Sequence, residues 1–372
     1  MSSAQIDKTE FAAIVAVANK DLKNKNYNKP IGVPNGHDTR FELYHSAPSL
    51  CSHKVRTVLA EKNIPYMSHD MSIMPIGKAI PQNYRPSYVR LRMLGANDRN
   101  YATDYNGVSS VDTQGLDPCV VPTLVDHEAA CVVLDSQKIC EYLDAHGEPN
   151  NSLLPKKLAK KALQQIELVD EAPHVAFLYG RHPDQDKRPE GLAKNIDGVH
   201  AKKNRTLRAL INHVQDDPAL IAAYEAKIQK ETAASGFVCD PDSMRNTYKL
   251  MEAHIATLEA QLESHNEDWI LGSDFTMADI MWTISMYRLK WGGLGHVWEG
   301  RQNRQRLNDY LDRAFARPSF QQGVVTWPGA YGPSDHIAEF SGKDSQRRFA
   351  KHMRQRISLW EVIFGDPQIK LS

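Results

Sequence analysis

The sequence predicts an α/β N-terminal domain followed by an all-α C-terminal domain. Three observations carry this. Residues 41–66, FELYHSAPSLCSHKVRTVLAEKNIPY, read as a strand, a turn and a helix. Residues 120–147, VVPTLVDHEAACVVLDSQKICEYLDAHG, read as a hairpin, 123–126 against 131–134, and a further helix. From about 156 to 325 helical periodicity dominates.

The chain has 372 residues, room for about two domains of ~100–200 residues. Its 45 basic residues balance 45 acidic ones. No net field draws it to nucleic acid or to a membrane, and neither is expected as a partner. The apolar run FAAIVAVA is far short of the ~20 residues a membrane helix needs. Asp7 and Glu10 precede it, with no basic n-region or small-residue cleavage site to make a signal peptide. A cytoplasmic location is the expectation. The five cysteines are odd in number and contain no CxxC pair, so neither a disulfide framework nor a metal site is expected. Cys119, Cys131, Cys140 and Cys239 should be structural.

Residues 1–38 read as an N-terminal extension: a short helix at 11–19, then a loop rich in Lys, Asn, Gly and Pro. The first domain spans 39–150. RFELYH alternates, placing Phe41 and Leu43 on one face. Pro48 breaks the strand, and Val55, Val58 and Leu59 keep helical spacing after it. PYMSHDMSI is the second strand. Residues 75–118 form an insertion, long enough to need structure or function of its own. A helix is expected near 84–94, in a loop whose Tyr84, Arg85, Tyr88 and Arg90 face solvent, a dimer contact or the site as a lid. After the hairpin, Asp135 or Ser136 caps a helix that buries Ile139, Tyr142 and Leu143 and ends at Gly147.

The helical domain spans 151–330. Tyr248, Met251, Ile255, Leu258 and Leu262 repeat by three and four, as one bundle-facing stripe. Thr276 with Asp279 is a capping box ahead of an apolar, central helix. Residues 331–372 are a C-terminal extension whose SQRRFAKHMRQRISLWEVIF reads as a basic amphipathic helix.

Cys51 stands where the turn meets a helix start. A helix N-terminus and nearby cations lower a thiol's pKa, so Cys51 is expected to ionise near neutral pH. Lys54 and Arg56 add charge or are simply solvated, and Ser49 and Ser52 offer hydroxyls to a sulfur anion. An ordinary βα turn with a buried cysteine has the same pattern. Pro122 at a strand start would, if cis, expose the N–H and C=O of Val121 to an extended peptide. The helix start at Asp135 and Ser136 suits a carboxylate. A thiol site, a strand edge and an anion cradle together match glutathione.

The segment resembles the thioredoxin-like domain of glutathione transferases, and 41–330 resembles their two-domain fold. SLCSHKVR, YVRLR, VVPTLVDHE, DSQKIC, PHVAFLYG, DQDKRPE and FTMADIMW resemble the branch that reductively dehalogenates chlorinated hydroquinones. The resemblance implies glutathione as cosubstrate and a homodimer. It implies catalysis by Cys51 with Ser49, and glutathione contacts from Ser52, Val121, Pro122, Asp135 and Ser136. An aromatic substrate would sit between the domains, near His174, Tyr179, Arg181 and His182. Other glutathione chemistry stays open, namely β-aryl ether cleavage, a glutathionyl-hydroquinone lyase or cis–trans isomerisation. So does a non-enzymatic ligand-binding or docking protein.

Overall fold

The structure, a computed structural model, describes residues 7–22, 28–33, 39–97, 99–108, 111–147, 151–196, 198–366 and 369. The expected loop at 20–36 and the linker after Gly147 lie partly outside these residues.

Five strands form one sheet in the order β1-β3-β2-β4-β5. They are β1 (Asn28–Ile31), β2 (Phe41–His45), β3 (Tyr66–Asp70), β4 (Thr123–Asp126) and β5 (Cys131–Leu134). β2 and β3 run parallel, with Phe41 opposite Tyr66, and the other pairs are antiparallel. A parallel pair needs a crossover, and α2 (Leu50–Glu61) supplies it. Together with α5 (Ser136–His146), α2 covers the face of Phe41, Leu43 and Leu124. This is the thioredoxin-like layout.

The alternation in RFELYH predicts one solvated face, yet every residue of β2 is buried. The second face is covered by α1 (Lys8–Asp21) and α3 (Pro86–Met93), whose Phe11, Val15, Tyr88 and Leu91 pack on Tyr44 and Val125. The N-terminal segment thus completes a layer and adds β1 to the sheet edge. On this face Glu42 is buried and accepts from His127 (2.7 Å), His69 (2.8 Å) and Asn19 (3.0 Å). Burial alone would raise its pKa, but the two histidines and Asn19 hold it well below the carboxylate range.

The insertion contains α3 and α4 (Val111–Gln114). Tyr84 and Tyr88 are buried rather than solvated. Tyr84, Val89 and Cys119 pack against Leu207, Leu220 and Tyr224 of the helical half. Cys239 departs from the expected structural role, being exposed at a helix end.

The helical half runs α6 (Ala159–Asp170), α7 (His174–Tyr179), α8 (Glu190–Ile196), α9 (Val199–His213), α10 (Pro218–Cys239) and α11 (Pro241–Glu263). α12 (Met277–Trp291), α13 (Gln305–Ala316) and α14 (Pro318–Phe320) follow. α12 is buried along nearly its whole length. Its expected capping box is present: Asp279 accepts from the Thr276 N–H and Oγ1, both at 2.8 Å.

The chain then returns to the first half. Arg56 of α2 is buried and donates to the carbonyls of Gly323 (2.7 Å), Ser46 (3.1 Å) and Ala47 (3.1 Å). It is not a solvated charge, and burial lowers its pKa to about 10. α15 (Gly342–Arg356) ends on Arg356, whose guanidinium meets Asp70 at 2.8 Å with both side chains buried. α16 (Leu359–Phe364) is the last helix.

Two predictions test this return. Arg356→Ala leaves the Asp70 carboxylate buried without its cation and should cost about 3–5 kcal/mol in urea unfolding. Burial acts to raise Asp70, but Arg356 and His45 overcome it, so its pKa is lowered on folding. Its stabilisation is therefore present above the ordinary aspartate pKa and lost as pH falls through the folded value. That acid-limb loss should be absent in the variant. Separately, a Cβ at Gly323 would sit 2.8 Å from the Thr57 backbone nitrogen. Gly323→Ala should cost about 1–3 kcal/mol by forcing α2 away.

Candidate active site

The turn between β2 and α2 is held from several sides. The Ala47 N–H donates to Asp70 (2.9 Å), and the Ser46 hydroxyl donates to the Met71 carbonyl (2.7 Å). His53 contacts the Ala47 carbonyl at 2.8 Å and the Tyr331 hydroxyl at 3.1 Å. Arg288 of α12 donates to the Pro48 carbonyl. Ser49 is the N-cap of α2, its Oγ accepting the Ser52 N–H at 3.3 Å. Capping uses an acceptor lone pair and leaves the Ser49 O–H free to donate. Cys51 follows two residues later, half-buried in the first turn.

Ser136 and Lys54 favour the Cys51 thiolate electrostatically, while Asp135 and Asp170 oppose it. The tertiary structure therefore sets Ser136 and Asp135, at the start of α5, within electrostatic range of Cys51. It adds Lys54 and Asp170, joined at 2.8 Å. Lys54 is buried, not solvated. Burial works to lower its pKa, but Asp170 and Cys51 more than reverse this, so it stays charged.

Cys51 departs from the expectation of an ionised thiol. Burial pushes its pKa up, and Lys54 and Ser136 only partly oppose this. The local sequence shows the helix start and the cation. It does not show the desolvation created by the helical half, nor that Asp170 already claims Lys54.

Asp135 caps α5, accepting from the Gln137 (2.9 Å) and Lys138 (3.2 Å) N–H groups. Its φ of 73° is left-handed, uncommon for a residue with a Cβ. Burial, then Asp170, raises its pKa. The Val121–Pro122 peptide is cis. Among the described residues no backbone hydrogen bond engages the Val121 N–H or C=O. The insertion braces this turn. Tyr88 donates to the Val120 carbonyl (2.8 Å), and Arg92 donates to the Pro122 (2.9 Å) and Asp117 (3.0 Å) carbonyls. Ser52, by contrast, is fully buried, and its Oγ accepts the Ser46 N–H at 3.2 Å. It stabilises the turn and offers nothing to open space.

His174, Tyr179 and Arg181 do not converge. His174 borders the Cys51 group, close enough to feel Lys54 and Arg288. Burial, then Lys54, lowers its pKa to about 3, so its ring is neutral. Both ring nitrogens are engaged, with the Ala172 carbonyl (3.0 Å) and the Ser285 hydroxyl (2.7 Å). Tyr179 faces elsewhere, accepting from Lys203 (3.2 Å) beside the buried Glu231. Arg181 is exposed beyond α7. His182 lines a cleft of about 320 Å³ with Lys187, Arg245, Tyr248 and His296, and no member of the Cys51 group lines it. The described residues contain no cluster able to hold a metal ion. No described helix is long and apolar enough to cross a membrane.

Iodoacetamide alkylation checks the electrostatics. Cys51 should react with a midpoint above the ordinary cysteine range, faster as pH rises. Lys54→Gln removes the opposing cation and should move the midpoint further up, by about one pH unit.

Residues 48–146 match a family model described as the glutathione S-transferase N-terminal domain. The chain is 40% identical over 304 residues to a 2,5-dichlorohydroquinone reductive dechlorinase of Sphingobium indicum, covering 81% of this chain and 86% of that one. It is 25% identical over 289 residues to a tetrachloro-p-hydroquinone reductive dehalogenase of Sphingobium chlorophenolicum, covering 77% and 97%. A β-etherase crystal structure from Sphingobium sp. strain SYK-6 shares the fold, with TM-score 0.51 and 17% identity over 76% of this chain and 98% of that one. A family model over the sulfur turn, with 40% identity across most of the length, decides the matter: the chain belongs to the glutathione transferase superfamily, in its reductive dehalogenase branch.

Proposed function

We propose that the protein is a glutathione-dependent reductive dehalogenase of chlorinated hydroquinones, with Cys51 as the sulfur that takes glutathione off the reduced ring. The observation that carries this is Cys51 in the first turn of α2 with the buried Lys54 one turn on, in a domain whose cis Val121–Pro122 turn leaves the Val121 backbone uncommitted. A serine could hydrogen-bond a thiolate, but only sulfur can accept sulfur.

The residues present fit the tripeptide. The uncommitted N–H and C=O of Val121 suit the backbone of its central cysteine, as one added strand residue. Asp135 and Ser136 at the start of α5 suit its γ-glutamyl end. The free O–H of Ser49 can donate to the tripeptide's sulfur. Glutathione is consumed here as a substrate.

The glutathione thiolate displaces chloride from the ring or its keto tautomer, forming a carbon–sulfur conjugate. Cys51 then gives up its proton and attacks the conjugate's sulfur. The carbon–sulfur pair returns to the ring carbon, which takes a proton, and Cys51 is left as a mixed disulfide. A second glutathione thiolate resolves it to oxidised glutathione and free Cys51. For each carbon–chlorine bond replaced by carbon–hydrogen, two thiols become one disulfide and one HCl is released. Lys54 offsets the charge on the Cys51 sulfur when it ionises. His174, neutral and within electrostatic range of Lys54, stands nearest to this chemistry of the four substrate candidates. Tyr179 and Arg181 hold no place in the scheme.

The test is Cys51→Ser with glutathione and a chlorinated hydroquinone, products resolved by mass. Glutathionyl-hydroquinone should accumulate, and free hydroquinone should form roughly a hundredfold or more slowly. Unchanged turnover would instead indicate cis–trans isomerisation or another reaction run by Ser49. Loss of all glutathione binding in the unaltered protein would indicate a ligand-binding or docking role.

A further inference from the structure

Among the described residues seven large hydrophobic side chains are exposed, and four of them share the short helix α16. Leu359 is 71% exposed, Trp360 50%, Ile363 48% and Phe364 63%. Their spacing by one and four places them on one helix face, and the Trp360 and Phe364 rings lie 5.5 Å apart. The fold enforces this exposure. Ser358 caps the helix, accepting the Glu361 N–H at 3.1 Å. Glu361 in turn pairs with Arg85 (3.1 Å), and the Val362 carbonyl accepts the Lys78 N–H (2.9 Å). The opposite face is thereby pinned to the insertion and cannot rotate away.

Two residues upstream ends α15, which is basic. Lys343, Arg347, Arg348, Lys351 and Arg354 are all exposed on it, against one exposed acid, Asp344. Arg347, Lys351 and Arg354 share a face by their spacing of four and three, and line one shallow depression with Ala350 and Gln355. Lys351 and Arg354 make no ion pair among the described residues. The helix is fixed in orientation by the buried Arg356–Asp70 pair at its end.

We propose that this C-terminal segment is a membrane-surface anchor: α16 sinks its apolar face into the headgroup region of an anionic bilayer, and the basic face of α15 meets the lipid phosphates. Exposed aromatic and aliphatic side chains, directly following a helix of exposed cations in the chain, match the two components of peripheral attachment. Trp is favoured at that depth because its ring is apolar and its N–H can still reach water. A second copy of the chain is the poorer occupant. Two copies joined through this segment would each bring a basic α15 to the contact, and like charge opposes that. The zero net charge of the whole chain predicts no attraction to lipid. Within that neutral chain, α15 gathers one sign of charge on a single helix. Attachment is independent of what Cys51 does.

The experiment is co-sedimentation of the full chain with vesicles of phosphatidylcholine alone or mixed equally with phosphatidylserine, with Trp360 emission as a second readout. The protein should pellet with the anionic vesicles, release as salt rises, and shift its emission to the blue. Neutralising Arg347, Lys351 and Arg354 to Gln should weaken binding roughly a hundredfold. The double variant Trp360→Ser, Phe364→Ser should weaken it at least about tenfold with an unchanged melting curve. No pelleting with anionic vesicles at low salt, or equal pelleting with both kinds, would overturn the proposal. So would concentration-dependent self-association in ultracentrifugation that the double variant abolishes, since that assigns the face to a second copy.

Discussion

The buried Asp70 carboxylate at the end of β3 is the constraint on which the site rests. It accepts the Ala47 N–H at 2.9 Å and the Trp327 indole N–H at 2.9 Å, and is neutralised by Arg356 at 2.8 Å. One side chain thus ties the sulfur-bearing turn to the segment after the bundle and to the last turn of α15. A carboxylate this deep survives only fully paired. Loss of Arg356 would leave that carboxylate buried without a compensating charge. Arg56 repeats the device from the other side, satisfying the Ser46 and Ala47 carbonyls while reaching Gly323. The turn before α2 is therefore braced from both sides, and the helix N-terminus it presents is fixed in direction.

A rigid turn with a desolvated thiol has a chemical consequence. Burial holds the Cys51 pKa up against Lys54, whose charge is already shared with Asp170. A thiol with a raised pKa holds less thiolate and is the weaker nucleophile until its surroundings change. That suits a residue whose proposed task comes second, after a bound thiol has formed the conjugate. The insertion takes part as well. Tyr88 and Arg92 hold the Val120–Thr123 backbone in the shape that leaves Val121 uncommitted.

The terminal segments earn their length in this architecture. α1 covers a sheet face that would otherwise expose Tyr44 and Val125, and α15 delivers Arg356 to Asp70. The outward faces of α15 and α16 then extend the protein beyond its catalytic unit.

The sequence alone determined whatever rests on local spacing. Alternation marked β2, period-three-and-four stripes marked the bundle helices, and Thr276 with Asp279 marked a helix start. Cys51 at a helix N-terminus, Pro122 at a strand start and Asp135 at a cap were legible because short-range backbone geometry restricts those residue types. The tertiary structure decided what those side chains experience. Asp170 lies 116 positions from Lys54 and Arg356 lies 286 from Asp70, distances over which no local pattern carries information. Burial of Ser52, the raised pKa of Cys51, the engaged ring of His174 and the second covered face of the sheet arise from contacts between distant segments. Desolvation and charge pairing depend on everything packed around a group, and only the folded chain fixes that environment.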